Sequence, residues 1–85
     1  MFYVYVLKDP KSEFIYIGFS TDLRQRIKQH QETEHPGWKL VYYEAYLAEE
    51  DARLRERKLK QYGAALGHLK AWIRKSMSRA LERAG

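Results

Sequence analysis

The sequence predicts a small α+β domain in the order ββαβαα, and three observations carry that reading. Two short aromatic and β-branched runs, Phe2–Leu7 and Phe14–Phe19, are separated by a polar segment with an Asp-Pro turn, which is the pattern of a β-hairpin. Apolar residues then recur at helical spacing from Leu23 and again from Ala52 and Leu66. Between the first two of these helices, Trp38–Tyr46 returns to strand-like composition.

Each element follows from its residues. Side chains alternate along a strand, so Tyr3 and Tyr5 share one face of the first strand, and Tyr16 and Gly18 share one face of the second. Ser20-Thr21-Asp22 supplies caps for a helix running to about Gln31. With Leu23 at 0°, Ile27 falls at about 40°, His30 at about 340° and Arg26 at about 300°, so Arg26 and His30 border the inward stripe. Glu32 to Gly37 reads as a polar loop and Trp38–Tyr46 as the third strand. Glu49-Glu50-Asp51 opens a second helix and Lys58 and Lys60 close it, matching the helix dipole. On that helix Glu56 lies about 40° from Ala52, a carboxylate among apolar neighbours. Tyr62-Gly63 ends the helix, and Leu66, Leu69, Ile73, Met77, Ala80 and Ala84 mark a third, with Lys75, Arg79 and Arg83 along its flank.

Composition narrows the chemistry. The chain has 85 residues and no cysteine, which suits one domain and excludes disulfides, thiolate metal sites and a thiol nucleophile. Phe2–Leu7 is too short for a membrane span and is not followed by a signal-cleavage pattern, so a cytoplasmic protein is expected. The net charge of +5 is uneven: residues 1–50 carry 6 basic and 8 acidic side chains, residues 51–85 carry 10 and 3. A basic C-terminal third points to a polyanionic partner, most simply nucleic acid.

Four features invite a functional reading beside a structural one. Glu56 either pairs with Arg55 or Arg57, or holds a divalent cation. Arg26 is either a snorkelling side chain or a phosphate clamp, with His30 beside it polarising a hydroxyl. Tyr3, Tyr5 and Tyr16 are either cross-strand aromatics or a set of converging hydroxyls. Gly18 marks either a turn or the close approach of a phosphate backbone. There is no P-loop, no G-x-S-x-G, no H-E-x-x-H and no paired Asp cluster.

Taken in order, Tyr3-Val4-Tyr5, Tyr16-Ile17-Gly18, Asp22-Leu23-x-x-Arg26-Ile27-Lys28-x-His30, Trp38–Glu44 and Ala52-x-x-Arg55-Glu56-x-x-Leu59-Lys60 resemble the GIY-YIG nucleases, and most closely their small single-domain members. The resemblance spans roughly residues 2–75 of a single domain over 1–85. It implies a three-stranded antiparallel sheet flanked by helices and a metal-dependent endonuclease acting on DNA, in repair or structure-selective processing. By that resemblance Tyr5 and Tyr16 are the motif tyrosines, with Tyr3 the alternative to Tyr5; Arg26 and His30 join them, and Glu56 is the ligand of Mg²⁺ or Mn²⁺. Gly18, Lys28, Lys60, Lys70, Arg74, Lys75 and Arg79 are the expected DNA contacts, to the backbone rather than to bases. The first motif lacks its glycine, and the loop between His30 and Trp38 is short. Two other readings fit the composition: a noncatalytic nucleic-acid-binding module of the same fold, and a domain presenting Trp72 to a protein partner.

Overall fold

The computed structural model describes residues 1–82. β1 (Phe2–Lys8) and β2 (Ile15–Ser20) form the hairpin, α1 (Leu23–Gln29) runs into one π-helical turn (His30–Glu34), and β3 (Lys39–Tyr46), α2 (Glu49–Lys60), α3 (Ala64–Trp72) and α4 (Arg74–Glu82) follow. The sheet is antiparallel throughout, in the order β2-β1-β3. β1 is therefore the central strand, and Val4 to Lys8 are all buried, which accounts for an unbroken apolar run where a surface strand would alternate. Lys8 tolerates burial because its ammonium donates to the carbonyls of Asp9 and Ser12, closing the hairpin turn.

The two faces of the sheet have different company. Val4, Val6 and Ile17 pack with Ala52 and Leu59 of α2 and with Leu66 and Leu69 of α3 to form the core. Burying a side chain such as Leu59 contributes roughly 1.5–3 kcal/mol. Tyr3, Tyr5, Tyr16 and Gly18 point to the opposite face, where α1 and the π turn lie. Acidic residues fill the first turn of α2 and basic residues its last, as the dipole favours.

Four local expectations are corrected. The first helix is α-helical only to Gln29; the chain then widens, with His35 N donating to His30 O at 2.6 Å. Thr33 contributes to this by donating its hydroxyl to the carbonyl of Gln29, the acceptor an α-helical Thr33 amide would use. Leu23 and Ile27 are only half-buried, and His30 is the fully buried residue of the segment. The left-handed residue after α2 is Tyr62 (φ 56°), not Gly63. Finally, the expected third helix breaks at Ile73 (φ −103°, ψ 24°), so that α3 covers α2 while α4 packs on β3. Arg83 and Ala84 lie outside the described residues.

Candidate active site

The site is built on the sheet face opposite the core. β1 pairs Tyr5 with Gly18 of β2, and the space a side chain would fill at Gly18 is taken by the phenol of Tyr5: a Cβ there would come within 2.4 Å of Tyr5 Cζ and Oη. The missing side chain of Gly18 thus makes room for Tyr5 rather than for a phosphate backbone. Held over this glycine, Tyr5 is wholly buried and its hydroxyl is 2.8 Å from Nε2 of His30, itself wholly buried. Tyr16, on the same face, lies tilted against both rings, at 6.2 Å from Tyr5 and 4.7 Å from His30. Tyr3 sits opposite Ser20 and packs edge-on against Tyr43, so Tyr5 and not Tyr3 meets His30.

Electrostatics set the protonation of this pair. Burial first, and Tyr16 next, push the Tyr5 phenol up to about 12, against the pull of Arg26 beside it. Burial first, and then Arg26, hold the His30 imidazole below its usual 6.5. Near neutral pH both are uncharged. His30 Nδ1 lies 3.2 Å from a Glu34 carboxylate oxygen and 3.0 Å from His35 Nδ1. An anionic oxygen beside Nδ1 favours the proton on that nitrogen, which leaves Nε2 as an acceptor and makes Tyr5 the donor.

Arg26 is presented by α1 beside the tyrosines, and Glu34 occupies its fork. Nη1 donates to Glu34 Oε1 at 3.0 Å and to Gln29 at 2.9 Å, and Nη2 to Glu34 Oε2 at 3.4 Å. The hydrogen bond from Arg26 holds the Glu34 carboxyl below the usual carboxylate range, and the same bond raises the guanidinium. A carboxylate here fills the bidentate place that a phosphate would take.

Glu56 approaches from the other side of the sheet. Arg53 stacks on Phe19 of β2 at 3.8 Å, whereas Arg55 pairs with Glu44 of β3 at 2.9 Å, so the two flanks of α2 are assigned. On the helical wheel Glu56 lies about 60° from Arg53 and about 100° from Arg55, and so shares the Arg53 flank that faces β2. Its side chain is 13% exposed and pairs with Lys60 at 3.0 Å, not with Arg55 or Arg57. Arg55 is committed elsewhere: Glu44 accepts from it and from the hydroxyls of Tyr42 and Tyr46.

The remaining cations are spread more widely. Lys28 is exposed on the rim of a cleft of about 690 Å³, on the β3 side of α1, lined by Tyr3, Leu23, Ile27, Leu40 and Tyr43. Arg79 of α4 lines a smaller groove, about 260 Å³, with Lys39 and the same Leu40. Lys70, Arg74 and Lys75 are exposed on α3 and α4, away from the tyrosine cluster.

Glu34 escapes sequence reasoning, and so does the place of His35 and Trp38 beside the tyrosines, although Trp38 opens the third-strand motif. The His35 ring packs, tilted, between Tyr16, at 5.0 Å and 46°, and Trp38, at 4.5 Å and 49°. On an α-helical wheel His35 falls about 140° from His30, but a π turn of roughly 4.4 residues brings it within about 50°. A histidine pair five residues apart with an acid between is the available signal, usable only if the π turn is foreseen.

A family model of the GIY-YIG catalytic domain matches residues 1–67. The chain belongs to the GIY-YIG family. No curated protein and no solved structure matches it. The GIY-YIG match takes in both strands of the hairpin, the Arg26–His30 segment and Glu56, and it ends within α3. A GIY-YIG domain is of nuclease type, so the substrate class is nucleic acid. Among the described residues no helix is long and apolar enough to cross a membrane.

Proposed function

We propose that residues 1–85 form a single-domain, Mg²⁺- or Mn²⁺-dependent endonuclease that hydrolyses DNA phosphodiester bonds by shape rather than sequence, in repair or processing in the cytoplasm. The observation that carries this reading is the Tyr5–His30 hydrogen bond set beside the Arg26 guanidinium. A phenol pushed up to about 12 is too weak an acid to be present as phenolate at neutral pH. A phenol that donates to a neutral imidazole needs no such state: as a water's proton passes to Tyr5 Oη, the phenolic proton passes to His30 Nε2. Tyr16, half-buried at the outer side of the pair, orients that water. Arg26, released from Glu34, binds the scissile phosphate and offsets the charge that develops on it.

Glu56 fits a hard cation. It is a recessed oxygen donor whose present partner, Lys60, is half-exposed on a flexible stem, and Mg²⁺ commonly takes one or two carboxylates and keeps its waters. Bound there, the ion supplies a Lewis acid for the phosphate oxygens. The DNA backbone is drawn by Lys70, Arg74 and Lys75, and the two grooves that share Leu40 lead from Arg79 and Lys39 across to Lys28.

The test is nicking of supercoiled plasmid and of branched, flap and single-stranded oligonucleotides, with Mg²⁺, Mn²⁺ or EDTA. Cleavage is expected with either metal and not with EDTA, and should fall about 10²–10³-fold in Glu56→Ala. Salt-sensitive binding with no cleavage above that variant identifies a noncatalytic binding module instead.

A further inference from the structure

We propose that His30, Glu34 and His35 form a second metal site, for a borderline transition-metal ion of the Zn²⁺ class, distinct from the hard-cation position at Glu56. One ligand atom from each residue lies within 4.8 Å of the others. The closest pairs already have the spacing of atoms that share an ion, at 3.0 Å between the Nδ1 atoms of the two histidines and 3.2 Å between His30 Nδ1 and Glu34 Oε2. Two donors each about 2.0–2.1 Å from one ion stand roughly 3.3 Å apart at a tetrahedral angle and roughly 2.9 Å at a right angle. Two imidazole nitrogens and one carboxylate suit Zn²⁺, Co²⁺ or Ni²⁺ rather than Mg²⁺, and three protein ligands leave a coordination position open.

The surroundings hold these donors in place before any ion arrives. The π turn, closed by the His35 amide on the His30 carbonyl, is what brings residues 30, 34 and 35 to one side. The second nitrogen of His30 is engaged by Tyr5, an outer partner of the kind that fixes the orientation of a ligating imidazole. The His35 ring is clamped between Tyr16 and Trp38, and Glu34 is oriented by Arg26. Coordination at His30 Nδ1 places the ring proton on Nε2, so that Tyr5 accepts where it otherwise donates. The ion also competes with Arg26 for Glu34. The site would thus be coupled to the tyrosine pair without being the family's carboxylate position.

The inference is independent of the nuclease reading, because its readout is binding. Tag-free full-length protein is titrated with Co²⁺, followed by the visible absorption of the ligated ion and by displacement with Zn²⁺, with circular dichroism checking the fold. Saturation at one equivalent per chain is expected, unaffected by millimolar Mg²⁺ and by His68→Ala, a substitution of the histidine outside the cluster. His35→Gln and Glu34→Gln, which keep the size and polarity of the side chains, should each weaken binding at least tenfold. Absence of a saturable band in the wild type, or unchanged affinity in folded His35→Gln, overturns the proposal.

Discussion

Two arginine–carboxylate pairs on opposite faces of the sheet, Arg55–Glu44 and Arg26–Glu34, are built differently. On the core side, Arg55 meets Glu44 on a rigid helix and strand, two tyrosine hydroxyls complete the coordination of the acid, and the carboxylate is 13% exposed. On the tyrosine side, Arg26 meets Glu34 on the last residue of a π turn, with side chains 27% and 38% exposed. A satisfied, recessed pair resists exchange because removing either partner strands a charge; an exposed pair is worth about 0–1 kcal/mol and can be replaced by another anion at little cost. The first pair holds the fold together. On the proposed reading, the second keeps the Arg26 fork occupied until a phosphate replaces Glu34.

The largest effect that would break this comparison is on catalysis. Arg26→Ala should lower nicking about 10²–10³-fold while changing unfolding free energy by less than about 1 kcal/mol, measured by plasmid nicking and urea denaturation. A destabilisation as large as that of the core-side pair would show that Arg26 is structural.

Next comes Arg55→Ala, which leaves Glu44 recessed beside two tyrosines with no cation. Its expected loss is about 2–3 kcal/mol, read as a fall in denaturation midpoint with an unchanged slope.

Gly18→Ala sits between the faces in character. Its methyl must displace a buried phenol, at an expected cost of about 1–3 kcal/mol together with most of the activity. Combining it with Tyr5→Val should recover part of that stability, because the obstructing ring is gone; strictly additive losses would refute the steric account.

The smallest effect is on pH dependence. Burial works to raise the Glu44 carboxyl, but hydrogen bonds from Arg55, Tyr46 and Tyr42 hold it below its usual 4.5. Below that value the unfolded chain binds the proton first, so this contribution is present above about pH 4.5 and is lost as pH falls through the lowered folded value. In 0.5 M salt, which screens the exposed Glu34 pair, Glu44→Gln should flatten the acid limb of stability and Glu34→Gln should leave it unchanged.

Much of the fold was legible because its signals are local. Strand composition around Asp9-Pro10, the Ser20–Asp22 cap and the acid-to-base gradient of α2 each concern neighbours in sequence, whereas the register that joins Tyr5 to Gly18 is set by the folded hairpin. The Arg26–His30 edge was legible for the same reason. What escaped depends on geometry that departs from the standard period: the π turn that recruits Glu34 and His35, and the break at Ile73, where no glycine or proline marks the division of α3 from α4. The partner of Glu56 escaped because five cations lie within four residues of it, and only the tertiary position of Glu44 decides that Arg55 is already taken and Lys60 is not.

The contact between Tyr5 and Gly18 carries a consequence for how such sequences change over time. The two short motifs after which the family is named are, in this chain, the two halves of one steric fit, thirteen residues apart along the chain and in contact across the hairpin. A lineage that keeps the ring cannot readily acquire a side chain opposite it, whereas one that loses the ring is released from the glycine. The pair should drift together or not at all.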